Sequence, residues 1–216
     1  MSTAIIGVGN IGRTIASQLV EGGERVVLAA SETPDQLADQ LGDLATAATV
    51  EEAIESADVV IFAVWLDVMK SLIEQNRARL ANKIVVDPSN PVAFNEKGEV
   101  SRTLPDAVSS GSVVAGLLPS SAHFVKAFGS LSAPTLGKGS NRTPERAVLF
   151  YATDDTEAQT AIERLISISG FDPVKAGGID AAGRIEFGGD LSEFGLGGRL
   201  VDVQEARGAV ATSAGA

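Results

Sequence analysis

The chain has 216 residues, enough for one large α/β domain with a core of its own, and 44% of them are hydrophobic, yet no apolar run approaches the ~18–20 residues of a membrane span. Its 17 Lys and Arg against 28 Asp and Glu leave a formal net charge of −11, which argues against a nucleic-acid partner, because phosphates need a basic face. With no cysteine and one histidine it offers no disulfide framework, no thiolate chemistry and no histidine-based metal cluster.

In chain order, Thr3-Ala4-Ile5-Ile6 reads as a buried strand running into Gly7-Val8-Gly9-Asn10-Ile11-Gly12, after which Ile11, Ile15 and Leu19 follow helical spacing. Strand, Gly-x-Gly-x-x-Gly turn and helix, in that order, suit a dinucleotide pyrophosphate. Gly7 makes the tight turn, Gly9 lets the backbone approach the phosphates, and Gly12 lets helix pack on strand. The helix N-terminus then turns free N–H groups and a positive dipole end toward the anion. A glycine-rich turn that binds nothing is the alternative. A strand this early leaves no room for a signal peptide, so the expected location is cytoplasmic.

Arg25–Ala30 is a second strand, followed by a helix with Leu37, Leu41 and Leu44 on one face. A short third strand is expected near Ala47–Val50, a short helix over Glu51–Ser56, and a fully buried strand over Asp58–Val64. A helix through Met69–Leu80 leads to a fifth strand, Lys83–Asp87. Strands alternating with helices imply a parallel sheet with right-handed crossovers.

Two prolines in Asp87-Pro88-Ser89-Asn90-Pro91 break this repeat and open a surface excursion to about Arg102. A helix over Val113–Leu118 stops at Pro119, a strand covers His123–Phe128, and residues 129–144, rich in Gly, Ser, Pro and Thr, read as a loop. Arg146–Ala152 is a further strand. Thr153-Asp154-Asp155 supplies capping for a helix carrying Ala158, Ile162, Leu165 and Ile166, and Asp172–Ala176 is the last strand. A glycine-rich tail begins at Gly177, and its Ala/Gly/Ser end beyond about Arg207 reads as disordered or peripheral. The expected fold is α/β: a doubly wound Rossmann sheet, mostly parallel, with extra strands and a short glycine-rich C-terminal extension. Residues 1–176 form the NAD(P)-binding domain, and residues 177–216 an extension for pocket or dimer contact.

An acidic residue about ~20 residues past the glycine loop accepts the ribose hydroxyls of NAD, whereas a nearby arginine suits the 2′-phosphate of NADP. Ala30-Ser31-Glu32-Thr33-Pro34 places Glu32 at that distance, so Glu32 favours NAD and opposes a 2′-phosphate by like charge. Alternatively Glu32 is solvated, with the Ser31 and Thr33 hydroxyls touching the cofactor. The crevice of a doubly wound sheet lies beyond the carboxyl ends of its strands, which selects Ala63-Val64-Trp65 and Asp87–Pro91. Trp65 suits stacking on a flat ring, or else caps the core. Asp87 reads as a turn-former for the prolines. His123 is the candidate for proton transfer near neutral pH, with a packed or surface imidazole as the alternative. Lys126, in the same strand, is otherwise a solvated or ion-paired lysine.

The segments Ile5–Gly12, Asp87-Pro88-Ser89-Asn90-Pro91 and Val125-Lys126-Ala127-Phe128-Gly129 together resemble the NADPH-dependent reductases of the deazaflavin coenzyme F420, a group that also includes the oxidoreductase domains of metal reductases. The resemblance runs to about Glu186. It implies hydride transfer between NADP(H) and a second flat redox cofactor, in a homodimer. Carried over by position, Gly7, Gly9, Asn10, Ile11 and Gly12 hold the pyrophosphate. Ser31, Glu32 and Thr33 meet the adenosine ribose; Ala63, Val64, Trp65, Asn90 and Pro91 line the nicotinamide side. His123, Lys126, Ala127 and Phe128 floor the second pocket. The family commonly carries Ser-Arg where this chain has Ser31-Glu32, so NAD and NADP both stay open. The glycine-rich run from Gly188 to Gly198 likewise departs from the family's second-cofactor region. A reductase of a small imine or carbonyl substrate is the alternative within the class, with His123, Asp67 or a water as proton donor. A non-catalytic dinucleotide sensor is the alternative outside it.

Overall fold

Strand-length apolar runs and helical stripes alternate through most of the chain, and in the computed structural model, which describes residues 1–212, they form a layered α/β architecture. In chain order the elements are β1 (Thr3–Ile6), α1 (Asn10–Glu21), β2 (Val26–Ala29), α2 (Pro34–Leu41), β3 (Ala45–Ala47), α3 (Val50–Ser56), β4 (Val59–Phe62), α4 (Leu66–Asn76) and β5 (Ile84–Asp87). Then come β6 (Val92–Phe94), β7 (Val100–Arg102), α5 (Ser110–Leu117), β8 (His123–Ala127), α6 (Ala133–Gly139), β9 (Val148–Ala152), α7 (Thr156–Ile168), β10 (Asp172–Gly177), α8 (Ala182–Ile185) and α9 (Val203–Thr212).

The main sheet has eight strands in the order β10-β9-β8-β5-β4-β1-β2-β3. From β3 through β8 all neighbours are parallel; β9 runs antiparallel to β8, and β10 parallel to β9. The expected doubly wound, mostly parallel sheet is present. The chain moves outward from β1 through β2 and β3, then returns to pair β4 on the other side of β1. The reversal opens the crevice of a Rossmann sheet beyond the carboxyl ends of β1 and β4.

Side-chain alternation along the strands feeds both faces. Ile5, Ile61, Val86 and Val125 pack under α1 and α7 with Ile15, Leu19, Ile162 and Leu165. Ala4, Ile6, Val60 and Phe62 pack on the other face with Ile54, Met69, Ile73 and Val114 from α3, α4 and α5. A smaller cluster joins Phe150 and Val174 to Ile185, Leu191, Val201 and Ala206, which seats the C-terminal segment on the outer strands.

Six local features differ from the sequence expectations. The third strand lies at Ala45–Ala47, because Gly42, with φ +76, ends α2 before Leu44. Val50 begins α3, because Thr49 and Glu52 form a reciprocal capping box. The surface excursion contains the antiparallel hairpin β6–β7. Helix α5 starts three residues early, where the Ser109 hydroxyl accepts from the Ser112 N–H at 3.0 Å. The loop expected over 129–144 contains α6, with a proline in its first turn and Leu136 buried; the Gln18 amide of α1 donates to the Leu136 carbonyl at 2.8 Å. In the tail α9 runs to Thr212, so the expectation of disorder beyond Arg207 does not hold up to that residue; residues 213–216 lie outside the described ones.

A clamp of charge ties the two ends of this layer together. Buried Glu24 takes a bidentate pair from Arg164 of α7, at 2.8 and 2.9 Å, and a hydrogen bond from the Thr3 hydroxyl at 2.7 Å. Burial alone would raise the pKa of Glu24, but these hydrogen bonds and the guanidinium charge outweigh it and hold the carboxyl below its ordinary value. Arg164→Ala should lower stability by about 1–3 kcal/mol in urea unfolding at neutral pH, since it strands a buried carboxylate. A group with a depressed folded pKa stabilises above its unfolded value and loses that contribution as pH falls through its folded one. The gap between variant and wild type should therefore close on acidification below the carboxylate range; a gap that stays constant would show that charge is not its origin.

Candidate functional site

The glycine loop sits at the carboxyl end of β1, and its three glycines have three separable reasons. Gly7 has φ +98, and a Cβ there would meet the Ala63 carbonyl oxygen at 2.5 Å and Val64 Cγ1 at 2.6 Å. At Gly12 a Cβ would meet the Gly7 carbonyl oxygen at 1.9 Å, so helix and strand touch backbone to backbone. Gly9 is different: its φ of −67 and ψ of −169 suit any residue, and a Cβ there would meet nothing within 4 Å. Neither backbone strain nor packing calls for glycine at that position. The space a Cβ would fill is the approach to the N-terminus of α1, which has no side-chain cap and no acidic residue in its first turn. Its free N–H groups and dipole end thus fit a dinucleotide pyrophosphate.

From this loop a cleft of about 1130 Å³ runs along the carboxyl edge of the sheet. Gly7, Gly9, Asn10 and Ile11 form one end, with Ser31, Glu32 and Thr33 beyond β2 beside them. Thr33 holds a left-handed φ of 55, rare for a β-branched residue, at the N-cap of α2. Ala63, Val64 and Trp65 follow β4, and Pro88, Ser89 and Asn90 follow β5. The far walls come from Val92, Phe94 and Val100 of the hairpin, from residues 129–133, and from Phe187 and Ser192–Phe194 of the C-terminal segment. Trp65 and Phe94 meet edge to face with centroids 5.9 Å apart, and Phe187 and Phe194 do so at 5.0 Å.

The structure thus brings together on one cleft most of the residues expected at the dinucleotide: Gly7, Gly9, Asn10, Ile11, Ser31, Glu32, Thr33, Ala63, Val64, Trp65 and Asn90. Gly12 stands behind Gly7, and Pro91 is buried beneath the hairpin, where its carbonyl accepts from the Thr103 N–H. Asn90 is already engaged: its amide donates to the Gly129 carbonyl at 3.0 Å, and its Oδ1 accepts from the Phe187 N–H at 2.7 Å.

The residues expected at the second pocket are placed elsewhere. Ala127 and Phe128 are core residues. Lys126 is 1% exposed and donates to Asp87 Oδ2 at 2.9 Å, to Ser110 Oγ at 2.9 Å and to the Ser89 carbonyl. Glu186, also buried, lies 3.9 Å from the ammonium and accepts from Ser110 N–H, Ser110 Oγ and Gly111 N–H at 3.1, 2.8 and 2.9 Å. Asp87 is therefore an ion-pair partner as well as the turn-former, accepting from the Ser89 N–H at 2.7 Å. This buried cluster lies behind the cleft wall and fixes both the Pro88–Asn90 turn and the start of the segment that carries Phe187.

His123 stands at the amino end of β8, which runs parallel to β5, and so at the edge of the sheet opposite the crevice. Its Nδ1 is 2.7 Å from Asp155 and its Nε2 3.5 Å from Glu157. Burial disfavours the charge on Asp155, yet hydrogen bonds from the Ala158 N–H and from His123 outweigh that and keep its pKa low. Asp67 is exposed and pairs with Lys70 at 3.1 Å.

Among the described residues the ionisable side chains lining the cleft are two glutamates, Glu32 and Glu193, with no lysine, arginine or histidine. Glu193 was not expected from sequence. Burial acts against its ionisation, but the Thr135 hydroxyl and the Ser132 N–H, each at 2.7 Å, hold its pKa below the ordinary value. It is a charged anchor at the start of α6 and a poor proton donor. Among the described residues no cluster of His, Cys, Asp or Glu could hold a metal ion, and no helix is long and apolar enough to cross a membrane.

Comparison with known proteins places this geometry in context. Residues 2–91 match the model of a family described as "NADP oxidoreductase coenzyme F420-dependent". The chain is 34% identical over 182 residues to metalloreductase STEAP3 of Rattus norvegicus; the match takes in 84% of this chain and 35% of that protein, so the chain spans about a third of the length of the curated relative it matches. A hypothetical protein of Sinorhizobium meliloti superposes with a TM-score of 0.80 and 30% identity, over 94% of this chain and 95% of that one. A proposed F420-dependent NADP reductase of Arthrobacter sp. FB24 superposes with a TM-score of 0.73 over 86% and 89% of the two chains; at 22% identity this is a likeness of fold.

Because a Cβ at Gly9 enters empty space and no strained backbone, Gly9→Ala should leave the unliganded unfolding midpoint unchanged. It should weaken dinucleotide binding by at least about tenfold, ~1.4 kcal/mol, in calorimetric titration. Unchanged affinity would remove Gly9 from the binding loop.

Proposed function

Since residues 2–91 match the model of a family described as "NADP oxidoreductase coenzyme F420-dependent" and the fold is of Rossmann type, we propose that the chain is an NAD(P)-dependent oxidoreductase that transfers a hydride between a nicotinamide dinucleotide and a second flat redox ring, a deazaflavin being the first choice. The observation that carries this reading is the continuity of the cleft. It runs from the uncapped end of α1 past Trp65 to two aromatic walls, and its volume of about 1130 Å³ exceeds the ~300–1,000 Å³ of an ordinary single-ligand pocket.

In this reading Gly7–Gly12 and the α1 dipole hold the pyrophosphate, and Ser31, Glu32 and Thr33 meet the adenosine ribose. Ala63–Trp65 and the Pro88–Asn90 turn support the nicotinamide. A bound nicotinamide supplies or accepts the hydride. The side chains themselves orient two rings face to face and exclude water, which is what hydride transfer between heterocycles requires of a protein. Reduction of a small imine or carbonyl compound would call for a proton donor at the cleft. His123 lies at the other sheet edge and Glu193 is held ionised, so that reading is the weaker one. With this activity we propose a cytoplasmic homodimer, as the composition and the family resemblance suggest.

Glu32 is proposed as an acceptor for the ribose hydroxyls. With no cation among the described residues on the cleft to meet a 2′-phosphate, NADH should serve at least as well as NADPH.

The test follows nicotinamide absorbance with NADH or NADPH and a deazaflavin, then with imines and ketones. Oxidation with the deazaflavin alone is expected. Oxidation with imines or ketones instead would overturn the ring-to-ring reading, and nucleotide binding without oxidation by any acceptor would mark a sensor. Glu32→Arg should move the ratio of kcat/KM values from NADH toward NADPH by ~1–2 kcal/mol, about five- to thirtyfold. An unmoved ratio would remove Glu32 from the ribose.

A further inference from the structure

The cleft lining joins two properties seldom found together in a site for an anionic cofactor: large exposed aromatic side chains and charges of one sign. Trp65, Phe94 and Phe194 are 58%, 59% and 61% exposed, with Val68 and Val100 beside them, and all five line this cleft. Isolated exposed hydrophobics need no explanation, but a group of them converging on one cavity marks a binding surface. Phe94 comes from the hairpin and Phe194 from the C-terminal segment, both beyond the residues that match the family model. The charges on the same cleft are the carboxylates of Glu32 and Glu193.

Other sources of positive potential nearby are already engaged. The N-terminus of α6 is met by Glu193 through the Ser132 N–H, and the first turn of α4 carries Asp67. An adjoining cavity of about 990 Å³, which shares Phe187 with the cleft, contains Arg102 and Arg184, but Asp106 and Asp180 line it too. Arg184 is bound to Asp190 at 2.8 Å and to the carbonyls of Ala209 and Val210; Arg102 donates to the Val108 carbonyl and lies 4.0 Å from Asp106. Among the described residues the one unopposed positive end on the cleft is that of α1, which the pyrophosphate uses.

Resting on the proposed hydride transfer, we infer that the acceptor half of this cleft selects a flat heterocycle whose substituents carry no phosphate or carboxylate, and that Phe94 and Phe194 are its specificity-determining residues. An aromatic wall gives a ring apolar area and edge-to-face contact whatever its substituents. An anionic substituent gains no partner here and meets the like charge of half-buried Glu193, which neighbours Phe194 on the same wall and is screened less than it would be in water. In the transfer, the electron pair passes with the hydride from reduced nicotinamide to the acceptor ring. The proton that completes the reduced ring comes from water, so no further reductant or catalytic acid is needed.

The test pairs acceptors that share a ring and differ in charge: riboflavin with FMN, and the dephosphorylated deazaflavin chromophore with coenzyme F420, each as oxidant of NADH. The phosphorylated member of each pair should show a KM at least tenfold higher, with a gap that narrows at high ionic strength and in Glu193→Gln. Phe94→Ala and Phe194→Ala should each raise the KM for the neutral rings at least fivefold and leave the KM for NADH unchanged. A merely structural role would move both. Equal or lower KM for the phosphorylated members, or phenylalanine variants without effect on acceptor KM, would overturn the inference and leave hydride transfer standing. Failure of all four rings to oxidise either NADH or NADPH would bring down the hydride-transfer reading and this inference together.

Discussion

The contact on which the rest depends is the one between the Gly7 carbonyl and the Cα of Gly12, where a Cβ would fall 1.9 Å from the oxygen. Only backbone fits there. That approach sets the angle at which α1 leaves β1 and points the first N–H groups of the helix at the crevice. Gly7 in turn sits so close to the Ala63 carbonyl that β4 and its exit loop are held against the same turn. One backbone packing thereby aims the helix dipole and fixes where Ala63–Trp65 emerge. Gly9 is left free of both tasks, since neither its backbone nor its packing calls for glycine.

The second organising interaction is electrostatic and lies behind the cleft. Lys126, Asp87 and Glu186 are all buried, and burying three charges is costly unless each is paired or hydrogen bonded. Here they are: the ammonium is shared among Asp87, Ser110 and the Ser89 carbonyl, and Glu186 takes two backbone N–H groups and a hydroxyl at the start of α5. Because Asp87 begins the proline-rich turn and Glu186 precedes Phe187, the cluster joins two distant parts of the chain at the cleft wall. Asn90 repeats the link one layer closer to the cleft, through Gly129 and Phe187. Removing one member would leave its partners charged and buried, so the wall is held as a unit.

Period and glycine spacing were enough to place Gly7–Ile11, Ser31–Thr33 and Ala63–Trp65 on one cleft, because these residues all follow strands of a repeating βα pattern. The acceptor half was not legible in that way. Phe187 and Phe194 lie in a glycine-rich run without helical or strand period, and they reach the cleft only because Ile185, Leu191 and Val201 pack on the outer strands. Two aromatics in an otherwise small-residue tail were the available signal. Helix α6 was hidden by its Gly, Pro and Ser content, although Ser132 followed by an early proline is a helix start. His123 was selected for its chemistry against its position: the first residue of a strand parallel to β5 must lie at the amino edge, away from the crevice. Lys126 fell to the same preference for residue type, since a lysine inside a strand buried on both faces must be paired, and Asp87 on the neighbouring strand is directly opposite.

These two halves also divide the weight that similarity can bear. The family match ends at Pro91, so it covers the glycine loop, Ser31–Thr33, Ala63–Trp65 and the Pro88–Asn90 turn. Every residue that builds the far walls, from Val92 of the hairpin to Phe194, comes after it. Similarity and geometry therefore coincide on the first part of the cleft, and geometry stands alone on the second. On that side the geometry offers aromatic surface, two carboxylates and no cation among the described residues. A site of that kind has little means of delivering a proton or of gripping an anion. It is suited to holding an uncharged ring flat against a nicotinamide, and that restriction narrows the acceptor more than the fold does.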